Sequence, residues 1–273
     1  MSRVMSGKRL EGRIISGLEK TKGFKIAIID TTKSESSAVY IKNKLKASKN
    51  LGIGAEIFEP KTEKETCDII KRINDDKSFT GVMVQMPLKR GFDLEKVVGS
   101  ISPSKDIDCL GPTALGKVML GCEFISPPTA SAVIALLDEY NISIEGRNIV
   151  IVNNSNIFGK PLAVMLTNRF ATVTLCHIKT RDLSRYTTGS DILITAAGVP
   201  GLIKGDMVKA GATVIDAGIS VVSGKLVGDV DFDAVSKKAS IITPVPGGVG
   251  PVTVALLMRN IIRLGTQKMW TYI

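Results

Sequence analysis

The sequence predicts an α/β protein in which strands alternate with helices. Short runs rich in β-branched residues recur between longer amphipathic segments. Strands and helices that alternate in this way pack into largely parallel sheets. A chain of 273 residues also exceeds the usual size of one domain, which suggests two domains or one large one.

The first part of the chain carries three predicted strands separated by amphipathic segments. They are FKIAIID (24–30), AEIFE (55–59) and TGVMVQM (80–86). The doubled proline at Pro127 and Pro128 then marks a plausible boundary. We place the first domain at residues 1–126.

A second series of strands follows the helical segment TASAVIALLDEY. They are NIVIVN (148–153), TVTLC (172–176), DILITAAG (191–198) and TVIDAGI (213–219). Their spacing is that of a Rossmann-type unit, which we place at residues 127–251. After SIITP and PVPGGVGP the chain finishes in the amphipathic helix TVALLMRNIIRLG. Because so apolar a helix must dock, we assign residues 252–273 to the first domain.

Composition narrows the class of protein. Hydrophobic residues make up 44% of the chain, but no apolar run approaches the roughly 18 to 20 residues of a membrane span. The N-terminal segment MSRVMSGKRLEGR lacks the apolar centre of a signal peptide. We therefore expect a soluble cytoplasmic protein that does not bind membranes.

The net charge of +10 raises nucleic acid as a partner. The basic residues are nevertheless spread along the chain and interleaved with acids, as in EKETCDIIKRINDDK. This pattern favours a solvated lysine-rich surface that binds no nucleic acid and could attract small anionic substrates. An RNA-binding protein on an inactive Rossmann scaffold stays as an alternative that only the charge suggests.

The cysteines and the single histidine exclude the commonest metal sites. Cys67, Cys109, Cys122 and Cys176 form no CxxC pair, and His177 is the only histidine. We expect reduced thiols and no metal. A Ser-His-Asp mechanism is improbable unless His177 is itself the base.

The segment SAVYIKNK places Ser37, Tyr40 and Lys44 at positions i, i+3 and i+7, on one face of a helix. A tyrosine beside a lysine suits ring stacking and proton transfer, with the pKa of the lysine lowered by burial or by neighbouring positive charge. An exposed lysine beside a half-buried tyrosine is the ordinary alternative.

Two candidate polar sites come next along the chain. Gln85 ends the strand just before Pro87, where open α/β sheets collect ligands, and a glutamine there can orient a lysine ammonium. Asp106 and Asp108 in SPSKDIDCLGP point to the same side if the segment is extended. Solvent exposure of Gln85 and turn capping by the aspartates are the alternatives.

Two glycine-containing turns are the remaining candidates for ligand binding. The stretch IVIVNNSNIFGKP (149–161) runs from a buried strand into a helix start, the layout that cradles a dinucleotide phosphate. The stretch TPVPGGVGPVT (243–253) holds three glycines and three prolines, which fix the backbone in turns and let a ligand approach it.

Five strings in this order closely resemble the bifunctional methylenetetrahydrofolate dehydrogenase/methenyltetrahydrofolate cyclohydrolase family. They are VQMPL, PSKDIDC, GRNIVIVNNSNIFGKPLA, ATVTLCHIKT and TPVPGGVGPVTVALLMRN, and the resemblance covers nearly the whole chain. It implies an N-terminal α/β folate-binding domain, a Rossmann-type domain for NADP with a cleft between the two, a C-terminal helix that returns to the first domain, and a homodimer.

The resemblance also implies the reaction. Hydride passes from 5,10-methylenetetrahydrofolate to NADP, and the methenyl product is hydrolysed to 10-formyltetrahydrofolate, as part of one-carbon metabolism. The implied catalytic residues are Lys44, Tyr40, Gln85, which supports the lysine, and Asp108, which holds the pterin. The folate substrate would be bound by Tyr40, Asp108, Pro246, Gly247 and Gly248. The cofactor would be bound by Asn153, Asn154, Ser155, His177, Ile178 and Ile219.

This chain departs from the family strings VVGRSxxVGxP and ATVTxCHSxT at the cofactor turn. Asn154 stands where an arginine usually grips the 2'-phosphate of NADP, and Ile178 stands where a serine helps. We expect NADP held more weakly than is usual, with Lys179 and Arg181 supplying charge, and NAD as a possible cofactor. A monofunctional NAD-linked dehydrogenase is the alternative. Cys109 also replaces a glycine of KDVDG.

Overall fold

The computed structural model describes residues 2–33 and 35–266, except for the side chains of residues 35–37, 39 and 40. The strands are β1 (Arg3–Val4), β2 (Lys25–Ile29), β3 (Gly54–Phe58), β4 (Gly81–Val84), β5 (Asn148–Val152), β6 (Thr172–Cys176), β7 (Ile192–Thr195), β8 (Thr213–Asp216), β9 (Ser220–Val222), β10 (Lys225–Val227) and β11 (Ile241–Ile242). The helices are α1 (Lys8–Ser16), α2 (Glu35–Asn50), α3 (Glu63–Asp75), α4 (Leu94–Gly99), α5 (Pro112–Met119), α6 (Pro128–Glu139), α7 (Gly159–Thr167), α8 (Ser184–Thr187), α9 (Phe232–Val235) and α10 (Val249–Gly265).

The chain divides into two compact units. The N-terminal unit runs from Ile14 to Pro128 and resumes at Val254. The central unit holds the residues up to Arg13 and those from Thr129 to Thr253. The predicted domain bounds differ from this division chiefly at the first thirteen residues, and they stay a prediction.

The N-terminal unit is built on a parallel three-stranded sheet in the order β3-β2-β4. The central strand β2 reads KIAII and is buried along almost its whole length, as expected of a strand covered on both faces. Helix α3 begins after Thr62, whose side chain caps the Glu65 amide.

Helix α10 supplies much of the apolar core of the N-terminal unit. Leu257, Met258 and Ile261 pack with Ile26 and Ile28 of the central strand. All five side chains are almost fully buried. Burial of side chains this large contributes roughly 1.5 to 3 kcal/mol each, which makes α10 part of the fold of this unit.

The central unit holds a six-stranded sheet in the order β1-β11-β8-β7-β5-β6, and its paired strands are parallel. From β5 the chain moves outward to β6 and then returns to the other side of β5 to form β7. The strand order therefore reverses between β5 and β7, and open α/β sheets bind ligands at such a switch point, outside the carboxyl ends of the strands.

The predicted α/β fold with a Rossmann-type sheet is confirmed. The strands predicted in both parts of the chain form within a few residues of their predicted bounds. Strand β1 and the hairpin of β9 and β10 were not predicted, because strands of two or three residues carry no periodic signal. In the described part of the chain, no helix combines the length and the apolar character that crossing a membrane requires.

Candidate active site

The lysine and the glutamine singled out from the sequence meet in the N-terminal unit. Lys44 Nζ donates a hydrogen bond to Gln85 Oε1 at 3.2 Å. Gln85 is 5% exposed, and its Nε2 donates to the Met86 carbonyl at 2.8 Å. Because that second bond fixes which way the amide faces, the oxygen is turned toward Lys44. The solvent-facing alternative for Gln85 is therefore excluded.

Burial changes the acidity of Lys44. It lowers the pKa of the ammonium, and the nearby charge of Asp108 opposes this only in part. A lysine with a lowered pKa is neutral more often near pH 7 and can accept a proton. The predicted lowering of the Lys44 pKa thus has burial as its main cause.

Asp108 is the second charged group beside this lysine. Burial raises the pKa of its half-buried carboxyl to about 6, Lys44 lowers it, and Asp106 adds a smaller upward contribution. The carboxyl is therefore mostly ionised at pH 7 and becomes protonated as the pH falls through about 6. Lys44, Gln85 and Asp108 therefore form one polar cluster in the N-terminal unit, which we call the lysine cluster.

The two aspartates of SPSKDIDCLGP have different surroundings. The segment forms consecutive turns instead of an extended strand. Asp106 is buried and accepts hydrogen bonds from the Leu110 amide at 3.0 Å and the Gly111 amide at 2.8 Å. It therefore holds the turn that leads into α5, so the turn-capping alternative holds for Asp106.

Cys109 follows Asp108 at a position where the family string has glycine. Its φ is 55°, in the left-handed region that glycine adopts without strain. The thiol is buried beside the Ile125 carbonyl, and burial raises its pKa. The turn thus keeps the backbone conformation expected for glycine, although cysteine occupies the position.

Tyr40 lies in α2, but its side chain is outside the described residues, as is that of Ser37. The proposed stacking role of Tyr40 stays a prediction.

Asn260 is a residue that the sequence analysis missed. It is 1% exposed, and its Nδ2 donates to the carbonyls of Ile107 and Ser126, both at 2.9 Å. These bonds fasten α10 to the backbone that presents Asp108. An asparagine in an apolar helix next to a predicted site would have been the signal.

The predicted cofactor residues lie along one edge of the central sheet. Asn153, Asn154 and Ser155 follow β5, His177 and Ile178 follow β6, and Ile219 follows β8. Because these strands are parallel, their carboxyl ends share an edge, which is where a dinucleotide binds in folds of this type.

Asn153 stands where the family string VVGRSxxVGxP has its first glycine. Its Oδ1 accepts hydrogen bonds from the Ser155 amide at 2.8 Å, the Ser155 hydroxyl at 2.7 Å and the Gly159 amide at 3.1 Å. Its Nδ2 donates to the Ala196 carbonyl at 2.6 Å, across the switch point. The side chain therefore closes the turn and joins it to the loop after β7.

The turn after β6 presents its side chains to solvent. The His177 carbonyl accepts from the Thr180 amide at 2.8 Å, and His177 Nδ1 accepts from the Lys179 amide at 3.1 Å. Ile178 at the tip is 98% exposed. Lys179, Arg181 and Asn154 are exposed as well. Both cations thus lie in the turn that follows β6, next to the strand that carries the Asn153 turn.

The predicted folate-binding loop leads into α10 in the central unit. Pro246 is exposed, whereas Gly248 is buried. A Cβ on Gly248 would lie 2.7 Å from the Pro244 carbonyl oxygen, and one on Gly7 would lie 2.0 Å from the Gly248 carbonyl oxygen. The lack of a side chain at Gly248 therefore serves packing. The described residues contain no group of three metal-ligating side chains.

Comparison with known proteins identifies the family. The sequence model for "Tetrahydrofolate dehydrogenase/cyclohydrolase, catalytic domain" matches residues 6–108. The model for "Tetrahydrofolate dehydrogenase/cyclohydrolase, NAD(P)-binding domain" matches residues 127–269. Together they cover most of the chain. The chain belongs to the tetrahydrofolate dehydrogenase/cyclohydrolase family.

Relatives share this architecture over their full length. "Bifunctional protein FolD" of Methanosarcina mazei is 44% identical, with 98% of each chain covered. The crystal structure of the bifunctional FolD enzyme from Campylobacter jejuni is 40% identical, with a TM-score of 0.89 over 98% of this chain and 100% of that one. The FolD structure from Trypanosoma brucei, complexed with NADP cofactor and inhibitor, is 34% identical, with a TM-score of 0.89 over 97% and 98%.

These matches confirm the predicted family, the two-domain α/β fold and an enzyme with dehydrogenase and cyclohydrolase activities. The roles of individual residues stay predictions.

Proposed function

We propose that this chain oxidises 5,10-methylenetetrahydrofolate to the 5,10-methenyl compound with NADP, and then hydrolyses that product to 10-formyltetrahydrofolate. The observation that carries the proposal is the hydrogen bond from Lys44 Nζ to the buried Gln85 amide. A monofunctional dehydrogenase would not need a lysine held in this way for hydrolysis.

In the hydrolytic step, water attacks the methenyl carbon, and a proton must leave that water as the new C–O bond forms. Lys44, whose pKa burial lowers, takes the proton in its neutral form. The positive charge of the methenyl substrate would favour the neutral amine further. Gln85 keeps one Nζ–H occupied, so that the amine stays in place. Cleavage of one C–N bond then leaves a formyl group on one folate nitrogen and a proton on the other.

Asp108 binds the substrate in this proposal. Its carboxylate accepts two N–H donors from the 2-amino-4-oxo pyrimidine ring of the pterin. Asn260 positions it through the backbone of Ile107. The family resemblance also assigns folate binding to Tyr40 in α2, and to the exposed Pro246 and the half-buried Gly247 in the loop before α10.

The central unit suits a dinucleotide. Gly159 begins α7, and a Cβ there would lie 2.0 Å from the Asn153 carbonyl oxygen, so the strand and the helix approach each other as closely as a phosphate-binding turn requires. Asn153, Asn154, Ser155, His177, Ile178 and Ile219 would hold the cofactor. When bound, it accepts the hydride from the methylene carbon.

For NADP over NAD, support comes from the bound cofactor of the Trypanosoma brucei relative and from charge. Asn154 offers no positive charge to a 2'-phosphate, but the exposed Lys179 and Arg181 stand at the neighbouring strand end. We therefore expect a modest preference for NADP.

We further propose a homodimer that works in the cytoplasm. The family resemblance supports the dimer, and the free, exposed thiol of Cys122 suits a reducing compartment. Light scattering on the purified protein and fractionation of cells would test these two statements.

Steady-state assays test the function directly. The purified protein is given methylenetetrahydrofolate with NADP or with NAD, and separately the methenyl compound without dinucleotide. We expect turnover in both assays and a higher kcat/KM with NADP. Oxidation without hydrolysis would support the monofunctional alternative, and more efficient use of NAD would overturn the cofactor assignment.

A further inference from the structure

The central unit contains two buried carboxylates to which the mechanism above gives no role. Asp216 ends β8 and is 3% exposed, and Asp229 follows β10 and is 0% exposed. Buried carboxylates are costly unless several donors surround them. The hydrogen-bond donors around each carboxylate therefore show which segments of the chain it holds together.

Asp216 ties the two ends of the β9–β10 hairpin together. Its Oδ1 accepts from the Gly218 amide at 2.9 Å and the Asp229 amide at 3.1 Å. Its Oδ2 accepts from the Val230 amide at 2.9 Å. One donor precedes the hairpin and two follow it, so Asp216 closes the base of the hairpin.

Asp229 joins that base to the loop after β7. Its Oδ2 accepts from the Thr195 hydroxyl at 2.8 Å and the Ala197 amide at 2.5 Å. Its Oδ1 accepts from the Val199 amide at 2.9 Å. Both oxygens are thus committed to donors at the carboxyl end of β7.

Two glycines allow the carboxylates to come this close. A Cβ on Gly218 would lie 2.1 Å from Asp229 Cγ, and a Cβ on Gly228 would lie 2.0 Å from Asp216 Oδ2. Any side chain at either position would displace a carboxylate. The arrangement therefore depends on an aspartate and a nearby glycine at each end of the β9–β10 hairpin: Asp216 with Gly218, and Asp229 with Gly228.

The loop held by Asp229 borders the switch point of the sheet. Asn153 reaches the same loop from the opposite side, through its bond to the Ala196 carbonyl. In Rossmann-type folds the adenine half of a dinucleotide lies over the first βαβ unit, and the nicotinamide half lies beyond the switch point. In this sheet that second half corresponds to the ends of β7 and β8.

We propose that Asp216 and Asp229 are positioning residues that hold the loops after β7 and β8 in the shape that receives the nicotinamide half of the dinucleotide. They touch no ligand in this account and act through the backbone of Ala197, Val199 and Gly218. The inference rests on the proposed function, because it presumes that the central unit binds NADP.

Asp229→Asn is the direct test. Each carboxylate oxygen accepts a backbone N–H, so either orientation of the new amide sets an NH2 group against a backbone donor. We expect the Kd for NADP, measured by titration without folate, to rise about tenfold or more. Hydrolysis of the methenyl compound without dinucleotide should stay within about twofold, since the lysine cluster belongs to the other unit.

Asp231→Asn is the matched control. Asp231 lies two residues away and caps α9 through the Ala234 amide at 3.3 Å. Asparagine caps helices as well as aspartate does, so this variant should bind NADP like the wild type.

If Asp229→Asn fails to fold, Thr195→Val replaces it, because valine keeps the shape of the side chain and removes one donor to Asp229. A severalfold rise in the Kd for NADP with hydrolysis retained supports the proposal. An unchanged Kd in a folded variant, or equal losses of NADP binding and hydrolysis, overturns it. Failure of the wild type to bind NADP would instead overturn the proposed function.

Discussion

At the scale of single residues, the same kind of residue serves different purposes according to its surroundings. Asp106 and Asp108 are two positions apart, yet the first accepts backbone hydrogen bonds in the turn before α5 and the second interacts with the charge of Lys44. The sequence predicted the pairing of Lys44 with Gln85 from a strand end and a helix face. The sequence could not predict which of the two aspartates has which role, because this depends on the geometry of the turn. The turn directs backbone N–H groups at Asp106.

The raised pKa of Asp108 predicts how folate binding depends on pH. The carboxyl is ionised above about pH 6, and it loses its charge as the pH falls through that value. If the carboxylate binds the pterin, the KM for methylenetetrahydrofolate should rise about tenfold per pH unit below 6 in the wild type and lose this dependence in Asp108→Asn. The measurement is a pair of pH profiles between pH 5 and about 8.

Asp108→Asn is the control for this profile. It should raise the KM at pH 7 and remove the dependence near pH 6. A wild-type KM that is flat across this range would show that the charge of Asp108 does not bind the substrate.

At the scale of elements, the strands of both sheets were predictable because buried parallel strands are continuous apolar runs. The conformations of the turns were harder to predict. Asn153 supplies with its own side chain the acceptor for the Ser155 and Gly159 amides, and nothing in the order of residues reveals such a bond.

The turn after β6 predicts the source of the phosphate preference. Lys179→Ala combined with Arg181→Ala should raise the KM for NADP severalfold and scarcely change that for NAD, since only NADP carries the 2'-phosphate. Conversely, Asn154→Arg should tighten NADP by roughly 1 to 3 kcal/mol, the size of one charge-assisted hydrogen bond. Steady-state kinetics with both dinucleotides measure these effects.

Lys237→Ala with Lys238→Ala is the matched control, because these exposed lysines precede β11 and lie toward the amino ends of the strands. If both double variants raised the KM for NADP equally, the net positive charge of the protein, and not the turn after β6, would account for the preference for the 2'-phosphate.

The contact of Gly7 with Gly248 predicts a stability effect. A Cβ on Gly7 would lie 2.0 Å from a backbone oxygen, so Gly7→Ala should lower the free energy of unfolding by about 1 to 3 kcal/mol. Gly12→Ala in the exposed middle of α1 meets nothing within 4 Å and should raise it by roughly 0.5 to 1 kcal/mol. Urea denaturation of the two variants checks the opposite signs, and equal effects would contradict the packing account.

At the scale of the whole molecule, the order of motifs along the chain was the strongest predictor. This order is sufficient to identify the family and both activities, whereas the net charge of +10 alone leaves RNA binding open. The network of Asp216 and Asp229 was beyond reach, because its partners lie in loops separated by up to 34 residues and have no common pattern.

In the proposed mechanism Lys44, held by Gln85, carries the hydrolysis. Lys44→Met tests it most directly, with Lys46→Met as control, because Lys46 is an exposed lysine on the same helix. The rate of methenyltetrahydrofolate hydrolysis should fall about 100-fold or more in Lys44→Met and stay unchanged in Lys46→Met, with both variants folded and binding NADP normally. Hydrolysis by folded Lys44→Met at a rate near that of the wild type would show that Lys44 does not carry this step.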